Sequence, residues 1–200
     1  MDRQAHLQFR VAGFSDAEGI AALHADSWRR HYRGAYSDAF LDGDVSADRL
    51  AVWADRLRTP DPGCRTIVAE DVSTLVGFAH TVFDDDPNWG ALLDNLHVAY
   101  GHQRRGVGWR LLALTAHAVA ERADRTGLYL WVLEQNVAAQ AFYRARGGRC
   151  VGRRDVSPPG GVPGRLNGSP AALRYVWPDP AMLLGSSERL ARNVVIEPRP

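Results

Sequence analysis

Leu93-Asp94-Asn95-Leu96-His97-Val98 runs into Gln103-Arg104-Arg105-Gly106-Val107-Gly108 and then into the apolar-striped segment Trp109 to Ala120. That order predicts a buried strand, a tight glycine turn and a helix. A helix begins with unpaired backbone N–H groups and the positive end of its dipole, so small residues leading into one make an anion cradle. Gly106 and Gly108 let the main chain come close to a phosphate, because no Cβ intervenes and positive φ costs little. Arg104 and Arg105 add guanidinium forks for phosphate oxygens. The stretch is built for a pyrophosphate.

What is missing narrows the ligand. A nucleotide triphosphatase loop needs Gly-Lys-Ser/Thr after its glycines, and this chain has no lysine. A dinucleotide fingerprint needs a third glycine, but Leu111 stands three residues after Gly108. What remains, Gln103-x-x-Gly106-x-Gly108 after a strand ending Leu96-His97-Val98, resembles the coenzyme A loop of the GNAT superfamily of N-acetyltransferases. Downstream, Leu128 to Leu133 reads as a strand rich in aromatic and aliphatic residues, and Asn136 caps a helix, Val137 to Arg146, that stops at Gly147-Gly148. The resulting Asn136-x-x-Ala139-x-x-Phe142-Tyr143-x-x-x-Gly147 is similar to the family's second signature. Two blocks in the right order make the resemblance specific.

The resemblance implies an α/β fold with a mixed central sheet of about seven strands flanked by helices. It implies acetyl-CoA as cosubstrate, with no metal. Its cofactor-binding positions fall on Leu96, His97, Val98, Gln103, Arg104, Arg105, Gly106, Val107, Gly108, Trp109, Asn136, Ala139, Phe142 and Tyr143. In the family the strand through Leu96 splays from the next parallel one, and the pantetheine arm pairs with the backbone of Leu96 and Val98 like a strand. Tyr143 matches the tyrosine that protonates the departing thiolate, although its place on an amphipathic helix also suits a packing aromatic. Members with a histone-type site carry a glutamate base where this chain has Leu92, and proline is usual where it has Tyr100. The general base is therefore open between Asp94, His97 and water.

A carboxylate in a buried strand is costly unless it is paired or employed, so Asp94 has two readings: proton acceptor or orienter for the attacking amine, or ion-pair partner of an arginine. His97 alternates to the other face and reads as a core histidine. With no histidine placed beside Cys64 or Cys150, both read as small buried residues, and an acetyl-cysteine intermediate lacks support. Direct attack by an amine is the expectation, with an N–H such as that of Val98 holding the oxyanion.

Two hundred residues, 46% of them apolar, suit a single domain. The expectation is residues 1–177 for the domain and 178–200 for a tail that either docks on a partner subunit or frays. Net charge is +1, which points to no nucleic acid or membrane surface. No run reaches the roughly 18 apolar residues of a membrane span. The polar start Met1-Asp2-Arg3-Gln4 lacks a signal peptide's apolar core, and two cysteines make no disulfide framework, so the expected location is cytoplasmic. Monomer and homodimer both remain open.

Phe9 to Val11 reads as a first strand, followed by Ser15-Asp16-x-Glu18 capping a helix. Two stripes run along that helix: Ile20, Leu23, Ser27 and His31, and His24, Trp28, Tyr32 and Tyr36. The family's first two helices line the acceptor cleft, so Trp28 and Tyr32, with Trp131 and Asp94, are candidate acceptor contacts; the alternative is that these aromatics only cover the sheet. A second helix, Asp48 to Arg58, should turn Leu50, Trp53 and Leu57 inward, and Val107 to Arg122 should bury Leu111, Leu114 or Thr115, Ala118 and Val119. Arg65 to Glu70 and Leu75 to Val82 read as a hairpin, and Asp84-Asp85-Asp86 as a solvated turn or an attractor for a cationic amine. Arg149 to Val156 and Ala172 to Trp177 read as the last strands. Between them, 157–164 is a proline- and glycine-rich loop, either mobile beside the acceptor or a plain insertion.

The sequence thus points to acetyl transfer onto a small-molecule or peptide amine. A non-catalytic acyl-CoA-binding sensor or assembly module is the alternative that the residue at position 92 keeps open.

Overall fold

The computed structural model describes residues 7–124 and 127–184. Strands β1 (Leu7–Val11), β2 (Cys64–Asp71), β3 (Thr74–Asp86) and β4 (Gly90–Val98) form an antiparallel half-sheet. Strands β5 (Leu128–Leu133), β6 (Arg149–Asp155) and β7 (Ala171–Trp177) form the other half, and the full order is β1-β2-β3-β4-β5-β7-β6. Only β4 and β5 run parallel, so the seven-stranded sheet is mixed, as expected. Val72 and Ser73 both take left-handed φ, giving the two-residue turn whose twist suits the β2–β3 hairpin.

Helices α1 (Ala17–His31), α2 (Asp38–Asp42) and α3 (Val45–Arg58) cover one face. There Ile20, Trp53, Val68 and Phe78 make one core cluster, and Trp28, Tyr36, Phe40, Leu41 and Leu133 another. Helices α4 (Val107–Arg122) and α5 (Val137–Ala145) cover the opposite face over Leu93, Leu130, Val132, Tyr175 and Trp177. Of the two residues left open on α4, Thr115 is fully buried and Leu114 half-buried. Leu112 and Ala116 are buried as well, because the turn Pro180–Leu183 returns across α4 and buries Leu183. Met182 is exposed, and Val194 to Ile196 lie outside the described residues.

Several expectations are corrected. Leu50 is 41% exposed, and Arg49 is buried in its stead, its guanidinium 4.3 Å from the Trp28 ring and paired with Asp48 at 2.5 Å. Cation–π contact and ion pairing let an arginine take the inward place that apolar periodicity assigns to leucine. Asp16 does not cap α1: its carboxylate turns back to the Gly13 N–H and the Arg10 guanidinium. Tyr36 lies beyond α1 and is bridged to Leu166. Cys150 is exposed and Cys64 half-buried, where burial was expected of both. The acidic run is the structured end of β3, with Asp85 accepting from the Tyr129 hydroxyl and Asp86 from the Asn88 and Trp89 N–H groups. The 157–170 segment is tied down: Arg165 pairs with Asp48, Ser37 bonds the Gly164 carbonyl, and Asn167 N–H donates to Ala35.

Candidate active site

The site begins with a β-bulge. His80 pairs with Asn95 and Thr81 with Leu93, leaving Asp94 as the extra residue of β4. A bulge bends its strand and increases its twist. β4 accordingly meets β5 only at Ala91–Leu128 and Leu92–Tyr129, and the two strands part beyond that point. Ala99 N–H donates to the Val76 carbonyl at 2.8 Å, and bonded residues alternate along an antiparallel ladder. His97 therefore directs its main-chain groups to Phe78 of β3, while Leu96 and Val98 direct theirs into the wedge between β4 and β5.

The cradle lies at the wedge's wide end. Gly106, at φ +84°, is the N-cap of α4, and among the described residues no carbonyl accepts from the N–H groups of Gly106, Val107 or Gly108. Arg104, Arg105 and Gln103 are exposed around them, and Arg104 takes a left-handed φ of 61°. A Cβ on Gly108 would stand 3.5 Å from Val98 and 3.7 Å from Phe142, so α4, β4 and α5 converge there. Trp109 is half-buried beneath the Arg146 guanidinium, 4.7 Å from its ring. An N-terminal amide array with exposed arginines at its rim fits a diphosphate.

α5 carries Tyr143 to the same place. Asn136 accepts from the Ala139 N–H at 3.1 Å, so its side-chain oxygen is engaged in capping. Ala139 and Phe142 pack on the α4-side core. The buried Tyr143 ring sits among Phe142, Tyr175 and Trp177 with centroids 5.3–6.0 Å away. Burial pushes its phenol well above the ordinary tyrosine value, and Tyr32 adds to the shift, so the hydroxyl keeps its proton at neutral pH. That is the protonation state a donor to a leaving thiolate requires.

Across the sheet, Asp94 accepts a 3.0 Å bond from Arg56 and a 2.7 Å bond from Asn95, which is the ion pair that one reading of this carboxylate expected. Tyr32 is stacked on Trp28 at 5.3 Å, and its phenol is pushed up to about 12 by burial first and the Asp94 charge second. Tyr32, Asp94 and Tyr143 thus share one electrostatic neighbourhood around the wedge. His97 bonds Ser27 at 2.7 Å and packs on His24 and Phe78, and burial holds it down to about 3. It is a hydrogen-bonded packing histidine, as expected, but it shares the α1- and α3-covered face with Asp94 instead of alternating to the other one, because the bulge at Asp94 interrupts the strand's alternation. Trp131 lies on β5 with the Arg154 and Arg174 guanidiniums 4.1 and 4.5 Å from its ring centroid.

Residues that sequence reasoning passed over hold this arrangement. Gln140 is buried and donates to the Glu134 carbonyl at 2.7 Å, and Gln135 donates to the Arg33 carbonyl at 2.8 Å, fastening the β5–α5 loop to the end of α1. Two glutamines around Asn136, on a loop that must stay rigid, were the available signal. Among the described residues no helix is long and apolar enough to cross a membrane, and no group of three or more His, Cys, Asp or Glu is placed to hold a metal.

Comparison with known proteins agrees with this geometry. A protein of Mycobacterium tuberculosis named as a probable N-acetyltransferase is 29% identical over 157 residues, 76% of this chain and 84% of that protein. An uncharacterized N-acetyltransferase of Bacillus subtilis is 27% identical over 139 residues, 68% of this chain and 76% of the relative. The fold matches the PaiA N-acetyltransferase of Thermoplasma acidophilum, solved with coenzyme A, at TM-score 0.64 and 20% identity, covering 86% of this chain and 99% of that one. It also matches a GCN5-related N-acetyltransferase of Rhodopseudomonas palustris at TM-score 0.64 and 24% identity, covering 84% and 92%. The acetyltransferase (GNAT) family profile matches residues 25–147, more than half of the chain, from within α1 through both signature blocks to the end of α5. The chain belongs to the acetyltransferase (GNAT) family.

Proposed function

We propose that this protein transfers the acetyl group of acetyl-CoA to a primary amine by direct attack within a ternary complex. The observation that carries the reading is the convergence, at one wedge, of the unpaired Leu96 and Val98 main chain, the open Gly106–Gly108 amides and a protonated Tyr143. The amides of Gly106, Val107 and Gly108, with Arg104 and Arg105, hold the diphosphate, and Leu96 and Val98 pair with the pantetheine amides. The amine, relieved of its proton through Asp94 or a water beside it, attacks the thioester carbonyl. Val98 N–H stabilises the oxyanion. The adduct's nitrogen sheds its extra proton to water as the tetrahedral adduct collapses, the C–S bond breaks, and the Tyr143 hydroxyl delivers its proton to the sulfur and is reprotonated from solvent. Neither cysteine takes part, since Cys150 lies on β6 and Cys64 opens β2, where its thiol sits 3.8 Å from Asp61.

The acceptor is a small molecule or peptide bearing the amine. The unit comprising residues 1–177 acts as monomer or homodimer in the cytoplasm, where both thiols stay reduced. Amine-dependent thiol release from acetyl-CoA, assayed over a broad acceptor panel, tests the reading. Release that depends on both amine and Tyr143 supports it. Tight acetyl-CoA binding with no release over the whole panel returns the protein to a sensing role.

A further inference from the structure

The sheet half made by β5, β7 and β6 carries a cationic surface on the face that also bears α1 and α3. Trp131 pairs across β5–β7 with Arg174, and Gly152 of β6 lies opposite Arg174 in turn. The Arg154 guanidinium stands 4.1 Å from the Trp131 ring centroid and that of Arg174 4.5 Å, and Arg174 also stands 4.9 Å from Trp89. Two like charges share one indole. Among the described residues neither is paired with a carboxylate: Asp85 is committed to the Tyr129 hydroxyl and Asp94 to Arg56. Among the described residues the buried Arg174 Nε finds no bonding partner. Burial is the chief cause that lowers the Arg154 guanidinium below the ordinary arginine value; Tyr129 acts against it, the neighbouring Arg174 charge adds to it, and the Asp85 and Asp94 charges offset it in part.

Cation–π contact with Trp131 offsets part of the cost, but two like charges on one ring repel each other, and the half-buried Arg174 gives up solvent with no carboxylate to answer it. An oxyanion between them would supply the missing bonds, and guanidinium forks suit carboxylate and phosphate alike. The surface adjoins the wedge, because Trp131 lies on β5 two residues past its last pair with β4, Leu92–Tyr129, where the two strands part. We propose that Arg154 and Arg174 bind an anionic group of the acceptor, so that the preferred substrate is an amine that also carries a carboxylate or phosphate. Trp131 braces the two cations and covers the acceptor's body. This inference rests on the acyl-transfer reading and names the substrate class for it.

Isothermal titration of the full chain saturated with coenzyme A tests it with two matched pairs, tyrosine against tyramine and phosphoethanolamine against ethanolamine. The anionic member of at least one pair should bind tenfold or more tighter, and the pair that shows the preference separates carboxylate from phosphate. In Arg154→Gln and Arg174→Gln that ratio should fall to near one. A thermal melt of each variant checks that the chain still folds, and Arg154, on the edge strand β6, is the safer site. Equal or tighter binding of the uncharged-tail members, binding of neither pair, or a preference that survives both substitutions overturns the proposal. Acetyl-CoA titrated into the unsubstituted chain reports on the acyl-transfer reading separately.

Discussion

The Asp94 carboxylate, on the extra residue of the β4 bulge, accepts a 3.0 Å hydrogen bond from the Arg56 guanidinium of α3. Both side chains are about a third exposed, so the pair adds at most about 1 kcal/mol to folding. Asp94→Asn should therefore melt within a few degrees of the unsubstituted protein. If the carboxylate handles the amine's proton, kcat/KM for the acceptor should fall about 100-fold. Steady-state kinetics beside a thermal melt separates these effects; unchanged kinetics leaves Asp94 a purely structural partner.

Tyr143→Phe removes one hydroxyl from a ring whose packing is otherwise kept. Turnover should drop about 100-fold, in the range found for positioned proton donors, while the acetyl-CoA Kd measured by calorimetry stays within a factor of two or so. Equal loss of binding and turnover would assign Tyr143 to packing alone.

Gly106→Ala meets open space, so any cost is conformational. A left-handed backbone costs alanine about 1 kcal/mol. The loop escapes that cost by turning its amides away from the diphosphate, and the acetyl-CoA Kd should rise about tenfold, equivalent to about 1.4 kcal/mol.

Asp48 holds both Arg49, which lies on Trp28, and Arg165 of the 157–170 segment. Asp48→Asn strands two largely buried cations and should cost about 3 kcal/mol. Limited proteolysis should then cut the proline- and glycine-rich stretch 158–164 well before the unsubstituted chain is nicked.

Three neutral histidines lie between the helices and the sheet. Burial is the chief cause that holds His97 down to about 3, His80 down to about 4 and His24 well below its ordinary value. A folded-state pKa below the unfolded value means the unfolded chain binds more protons as the solution is acidified. Stability is thus full above about pH 6.5 and declines below it, by roughly 3 kcal/mol each for His97 and His80 by pH 4.5. Denaturant midpoints taken from pH 7.5 to 4.5 should show this decline, and His97→Asn should flatten it.

Readable stretches were those whose signals are local. Asn136 caps α5 through its own next turn, and Gly106 starts α4 at a positive φ that glycine tolerates, so both signature helices begin at the expected residues. The hairpin at Val72-Ser73 and the four outer strand assignments rest on similarly short-range patterns. What escaped depends on distant partners. Arg49 displaces Leu50 inward because Trp28, Asp48 and the approach of Arg165 wait for it. The five-residue α2 is too short to announce itself and is pinned by Phe40 and Leu41 in the aromatic cluster. β3 outlasts its apolar run because Asp85 finds Tyr129 across the sheet. Of the site, the cradle and Tyr143 were legible from motif spacing. The Arg154–Trp131–Arg174 stack was not, since its members come from three strands that only the β5-β7-β6 order brings side by side.

Two residue pairs are all that join the halves of the sheet along β4 and β5. A plate seamed over so short a length behaves as a clasp rather than a slab. Any guest whose own amides run along Leu96 and Val98 stitches the open part of the seam. Occupancy should thus slow amide hydrogen exchange on both lobes at once, including strands the guest never touches.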